Sequence, residues 1–224
     1  MLEIILALEN LSEPAMAPDI NIHEWIVPAY GSEISFDIKR KGKQIGTHEV
    51  TFENIDNRIY VEVITKIRVK FLFFNAFKFD YSSREVWQNN NLIFVYSSTN
   101  DNGEKSEVVK EFGENAAEVL AGDRQFSSSL EGVNFTSNHW NPNVLNASTL
   151  LNTITGKINQ VNISNQGWEV VPGQDGERNA IRHNYNGQLN NISAWYDEKW
   201  RWVGLSFKGK DGSVISYECK QCGA

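Results

Sequence analysis

The sequence is poor in the residues that most often carry chemistry or staple a fold. It has two cysteines in 224 residues, as Cys219-Lys220-Gln221-Cys222 near the C-terminal end. One such pair supplies half of a structural zinc site at most. A redox pair normally opens a helix in a βαβ setting, and no such pattern occurs here. In an oxidising compartment the two would close a small disulfide; otherwise residues 220–224 read as an inert tail. The four histidines, His23, His48, His139 and His183, share no metal-binding spacing. There is no phosphate-cradling glycine loop, dinucleotide fingerprint or nucleophile motif, so no metal or cofactor is expected and no catalytic residue is assigned. Positive charge is also short: 21 Lys and Arg against 28 Asp and Glu leave a net charge of −7. That balance argues against nucleic acid and against a polybasic membrane contact. The one basic cluster, Lys39, Arg40, Lys41 and Lys43, surrounds Gly42 and reads as a solvated hairpin tip. No apolar run is long enough to cross a bilayer as a helix.

Residues 1–30 read as a segment apart from the rest. An apolar run at residues 4–8 and the small-residue string Ala15-Met16-Ala17 resemble parts of a secretory signal, but Glu3 and Glu9 flank the run and no basic start precedes it. This predicts a truncated signal or a frayed terminal helix over residues 1–17, with helix at this end confined to residues 1–11. Export to the periplasm is the expectation, with the cytoplasm as the alternative.

What the chain does have is alternation. Seven Trp, seven Tyr and twelve Phe suit β structure. From residue 59 to 71 every second position is apolar or nearly so: Ile59, Val61, Val63, Thr65, Ile67, Val69 and Phe71. A period of two marks a strand with one buried face, and this one exceeds the usual ~5–6 residues. Ile34, Phe36 and Ile38 share a face before it. Phe77, Phe79, Tyr81, Glu85 and Trp87 share one after it, and a bulge or bend is expected at residues 72–75, where alternation breaks. Leu92, Phe94, Tyr96 and Ser98 form the next inward set by parity. Weaker strands follow at 106–112 and 116–121, and clear ones resume from 157, with Asp211-Gly212 the strongest hairpin signal. Some ten to twelve strands joined by short turns predict a single all-β domain over residues 31–219. Its architecture is an antiparallel up-and-down barrel or a strongly curved half-barrel sheet, with a sandwich as the alternative. One excursion interrupts it: residues 127–152 are rich in Ser and Asn and hold a short helical pattern at 143–152. Long connections of this kind are usually functional or disordered. This one is expected to cover an open end or face of the sheet with Trp140 packed inward.

Four strings in order carry a resemblance. They are Phe36-Asp37-Ile38 to Gln44-Ile45-Gly46, Glu85-Val86-Trp87, Asn138-His139-Trp140-Asn141, and Trp195-Tyr196-Asp197 ahead of Asp211-Gly212-Ser213. Over residues 34–217 the chain resembles a bacterial domain-of-unknown-function family of exported β-proteins, similar in architecture to lipoprotein-localisation carriers. The resemblance implies an exported, single-domain antiparallel β protein and brings no activity, since fold does not imply function.

The excess of large inward rings points to a pocket, because an apolar pocket is lined by aromatic side chains. The candidate ligand contacts are Phe79, Tyr81, Glu85, Trp87, Phe94, Tyr96, His139 and Trp140, and the expected partner is an apolar or amphipathic small molecule. The sequence sets no oligomeric state. A buried Glu85 must be paired or neutral, and Arg182 or Arg124 is its candidate partner. A structural or envelope-assembly protein with a filled core is the first alternative. A hydrolase-like enzyme using His139 and Glu85 is the second, and it requires the two side chains to converge in one cleft.

Overall fold

A computed structural model describes residues 18–71, 74–112, 133–173, 176–209 and 211–223. The expected strand at 116–121, residues 1–17 and Arg124 lie outside the described residues. Alternation becomes strands in chain order: β1 (Glu33–Arg40), β2 (Lys43–Ile55), β3 (Arg58–Phe71), β4 (Phe74–Gln88), β5 (Asn91–Asp101), β6 (Glu104–Glu111), β7 (Thr149–Leu151), β8 (Ile158–Gly173), β9 (Gly176–Gly187), β10 (Ile192–Tyr196), β11 (Trp202–Lys208) and β12 (Val214–Gln221). Among the described residues they form one 12-stranded sheet in the order β6-β5-β4-β3-β2-β1-β12-β11-β10-β9-β8-β7. Apart from β6 and β7, which form the two edges, each strand lies beside the next in sequence, and β1 pairs antiparallel with β12. The two ends of the domain therefore meet, and the seam of this up-and-down sheet falls mid-chain, between β6 and β7. The break in alternation after Phe71 is the passage from β3 to β4, with a register shift between Val69 and Lys70.

The register stacks the interior in layers. Across β1 to β5 one layer holds Phe36, His48, Thr65, Tyr81 and Thr99. On one side of it lie Ile38, Gly46, Ile67, Phe79 and Asp101. On the other lie Ile34, Val50, Val63, Ser83 and Ser97, then Phe52, Val61, Glu85 and Val95. The last end is packed shut. A helix, α1 (Ile22–Tyr30), starts at the Asn21 cap and stops at Gly31, whose positive φ of 71° suits a residue without Cβ. It buries Ile22, Ile26, Ala29 and Tyr30, one face at helical spacing.

Two expectations need correction here. Helix was expected only over residues 1–11, which lie outside the described residues, and 143–152; α1 falls in neither range, and its buried face belongs to the main core. A nine-residue helix with Pro28 inside it is too short and too interrupted to stand out by periodicity. The chain end is no inert tail either. β12 runs to Gln221, and Cys219 and Cys222 are disulfide-bonded and buried in the same core.

Phe94 and Tyr96 also change sides. The β4–β5 register shifts between Val86 and Trp87, so Trp87 faces Leu92 while Val86 faces Phe94. One extra residue turns every later side chain over. Leu92 and Val95 point into the main core, whereas Phe94 packs with Val86 and Ile93 in a separate outer cluster, against Tyr60 and Tyr96.

Candidate functional site

The half of the interior not filled by α1 is a cup of about 590 Å³. Its wall is apolar: Ile67, Val69, Phe77 and Phe79 from β3 and β4, with Phe207 and Ile215 across from them. Its floor is the layer of His48 and Thr65, joined by Tyr81, His139, Trp202 and Tyr217. Trp202 is the centre of that floor. Its ring stands 4.2 Å from Phe36, 5.3 Å from His48 and 5.6 Å from His139, centroid to centroid, and its Nε1 donates to the Gly204 carbonyl at 2.7 Å. The mouth carries the charges. Arg40 Nε donates to Ser213 Oγ at 2.8 Å and the guanidinium pairs with Asp211, with Lys208 also on the lining, while Asp101 stands lower, opposite Phe79 in the layer next to the floor.

The excursion makes the plug beneath this cup. Thr136 bridges to Leu151, and Ser137 N and Leu151 N donate to the Leu151 and Phe135 carbonyls at 2.9 Å, so the strand-like segment runs beside β7. Across the seam it is held by side chains. Tyr81 donates to Thr153 Oγ1 at 2.7 Å, Ser106 Oγ donates to the Ile154 carbonyl at 3.2 Å, and Ser97 Oγ donates to the Thr153 carbonyl. Asn141 then caps a short 3-10 helix, Pro142–Asn146. Tyr196 and Tyr30 hydroxyls clamp the loop by donating to the His139 and Trp140 carbonyls at 2.8 and 2.9 Å. Trp140 is 1 % exposed, wedged between Phe52 and Trp87 at 5.6 and 5.4 Å.

Glu85 sits inside this plug and is fully buried. Four neutral donors converge on it: Trp87 Nε1 at 2.9 Å and Trp140 Nε1 at 3.1 Å on Oε2, Thr136 Oγ1 and Asn138 Nδ2 at 2.6 Å on Oε1. Arg182, one of its expected partners, instead meets Glu169 at 2.9 Å. Among the described residues, hydrogen bonds rather than a cation satisfy this carboxyl group, which is the general alternative for a buried acid.

Of the sequence candidates, Phe79, Tyr81 and His139 line the cup together. Glu85, Trp87 and Trp140 belong to the plug, and Phe94 and Tyr96 to the outer face. His139 Nδ1 meets the Tyr185 hydroxyl at 3.1 Å, and Glu85 is held by the four donors above. Alternation missed His48, Trp202 and Tyr217. Trp202 and Val203 are both buried beside a register shift between Trp195 and Tyr196, so parity does not distinguish them. Among the described residues no group of three or more metal-binding side chains assembles.

The floor imidazoles are uncharged at neutral pH. Burial holds His48 down to about 3, with a smaller push from His139, and holds His139 down to about 4. In the unfolded chain both titrate near 6.5. Between those values the unfolded state binds protons that the folded state does not. Stability is therefore full above pH 6.5 and falls as pH drops from there toward 4. The expected slope is about 1.4 kcal/mol per pH unit for each imidazole. Urea melts at pH 7.5, 6 and 5 measure it; stability that stays flat over that range would contradict buried neutral imidazoles.

The comparisons with known proteins agree with this architecture. Residues 36–220 match the model of a family described as a domain of unknown function, DUF6134. No curated protein matches the chain. Among solved structures, the crystal structure of a beta-barrel-like protein of domain of unknown function DUF1849 from Brucella abortus is similar. It has 10% sequence identity, covers 84% of this chain and 95% of that one, and gives a TM-score of 0.56. At that identity the likeness is one of fold.

Proposed function

We propose that this chain, which belongs to the DUF6134 family of domains of unknown function, is a non-catalytic binding or carrier protein for an apolar or amphipathic small molecule. The observation that carries the reading is the cup: about 590 Å³, walled by aliphatic and aromatic side chains and opening at a charged mouth. Small-molecule sites are concave, mainly apolar, and fall between roughly 300 and 1,000 Å³. A protein with only a structural role gains nothing from such a space, because close packing is the norm and an unfilled apolar volume weakens a core. The Cys219–Cys222 disulfide supports placing the protein in an oxidising compartment such as the cell envelope.

The test uses N-phenyl-1-naphthylamine, a neutral apolar fluorophore. Saturable one-to-one binding, with energy transfer from tryptophan, is expected for the native chain. Ile67→Trp and Val69→Trp project an indole into the cup and should weaken binding about tenfold or more without unfolding the protein. Absence of probe binding, together with no small molecule in the native mass spectrum, would leave the filled-core structural role standing instead.

A further inference from the structure

The cup is graded in polarity along its depth. The wall between floor and mouth is apolar, and along β3 it rises about 13 Å from Thr65 to Val69. The floor is polar without being charged. His48 gives Nδ1 to Thr65 Oγ1 at 2.8 Å and His139 gives Nδ1 to Tyr185 at 3.1 Å. Neither Nε2 has a hydrogen-bond partner in the protein among the described residues, and both side chains line the cup. The Tyr217 hydroxyl likewise has no partner among them, and it lines the same space. Three polar groups thus face the inner end of a cup whose long wall on β3 and β4 is apolar. An occupant that fills the inner end displaces the water open to these groups, and one that cannot replace those hydrogen bonds loses affinity, so the arrangement favours an occupant that pairs them.

The same geometry selects the charge of that occupant. Among the described residues the cationic side chains on the lining are Arg40 and Lys208, which stand at the mouth, and Arg40 is already held by Asp211 and Ser213. None lies at the floor. A carboxylate or phosphate carried to the floor would be desolvated with no counter-charge, which is strongly unfavourable. A hydroxyl or carbonyl group needs only donors and acceptors, which imidazole nitrogens and a phenol supply in either sense.

We infer that the occupant is a neutral amphiphile bound head-down, its hydroxyl or carbonyl group on the floor against His48, His139 and Tyr217 and its hydrocarbon along the apolar wall. This rests on the cup being a binding cavity as proposed above, and the experiment keeps the two apart. N-phenyl-1-naphthylamine bound to the full chain is displaced at pH 7.5 with 1-decanol or with decanoate, which share a chain length and differ in the head. Decanol should displace the probe at about a tenfold lower concentration. Tyr217→Phe, which removes one oxygen and keeps the ring, should narrow the decanol-to-decanoate ratio about fivefold, the scale of one hydrogen bond. His48→Phe should narrow it as well; where that variant does not fold, Tyr217→Phe decides. A preference for decanoate that Arg40→Ala or Lys208→Ala abolishes would put the head at the mouth and overturn the inference while leaving the binding reading intact. A decanol preference that survives both floor variants would overturn it too. No probe binding at all would remove the binding reading itself.

Discussion

Replacing Trp140 by alanine should cost about 3–5 kcal/mol, the range for deleting a large buried ring. The ring is 1% exposed and meets Phe52 and Trp87 edge-on, so its loss opens a void that both neighbours line. It also removes the indole N–H that Glu85 Oε2 accepts at 3.1 Å. In a chain of this size that loss lowers the melting temperature by about 6–20 °C. The size of the effect distinguishes a fixed plug from a mobile lid. A lid would release Trp140 to water at little cost in stability and change only ligand retention. Trp140→Phe separates packing from hydrogen bonding: it keeps most of the apolar contact and should cost about 1–3 kcal/mol, mainly for the lost donor. Urea unfolding followed by far-ultraviolet circular dichroism measures both. A loss below about 1 kcal/mol for Trp140→Ala would contradict the plug.

How far the sequence led depends on which physical signal each part left in it. Period-two alternation is a local consequence of strand geometry, so the inward run from Ile59 to Val69 and the facing run from Phe77 to Trp87 were legible, and with them one wall of the cup. Alternation says nothing across a bulge. Leu92, Ile93 and Phe94 are all apolar, and only the register shift opposite Val86 and Trp87 decides which of them faces inward. Phe94 and Tyr96 were assigned to the pocket for that reason and stand outside it. The pairing of β1 with β12, which puts the seam mid-chain, is a long-range contact with no local mark. The excursion was legible as an interruption and Trp140 as its anchor. Its Ser and Asn content reads equally as a solvated loop or as a buried polar network, because composition does not report whether Thr136 and Asn138 point at water or at a carboxyl group. The helix α1 carried a cap at each end, Asn21 and Gly31, but those signals flank too few residues to compete with the expectation of a signal remnant.

Glu85→Leu should be at least as damaging as Trp140→Ala, although leucine suits a buried strand position better than glutamate does. Hydrophobic replacement of a buried polar group is tolerated when its partners are replaced with it, and is costly when they are left behind. Here four donors remain, on Trp87, Thr136, Asn138 and Trp140, all packed around one fully buried carboxyl group. Each unpaired buried donor costs about 1–3 kcal/mol, so a total loss of about 4 kcal/mol or more is expected even after partial relaxation. Glu85→Gln is the finer probe. The amide keeps one acceptor oxygen and turns its NH2 toward two of the existing donors, so it should cost less than Glu85→Leu and more than a surface change. Because Glu85 and Trp140 share a hydrogen bond, Glu85→Gln and Trp140→Phe should be non-additive, with a coupling of about 0.5–3 kcal/mol in a double-mutant cycle. The physical point is the joint held by that group. Glu85 belongs to β4, while Thr136, Asn138 and Trp140 belong to the excursion, so one carboxyl group ties the plug to the wall below the cup. If Glu85→Leu melts within a degree or two of the native chain, the plug is held by apolar packing alone and the polar joint carries no stability.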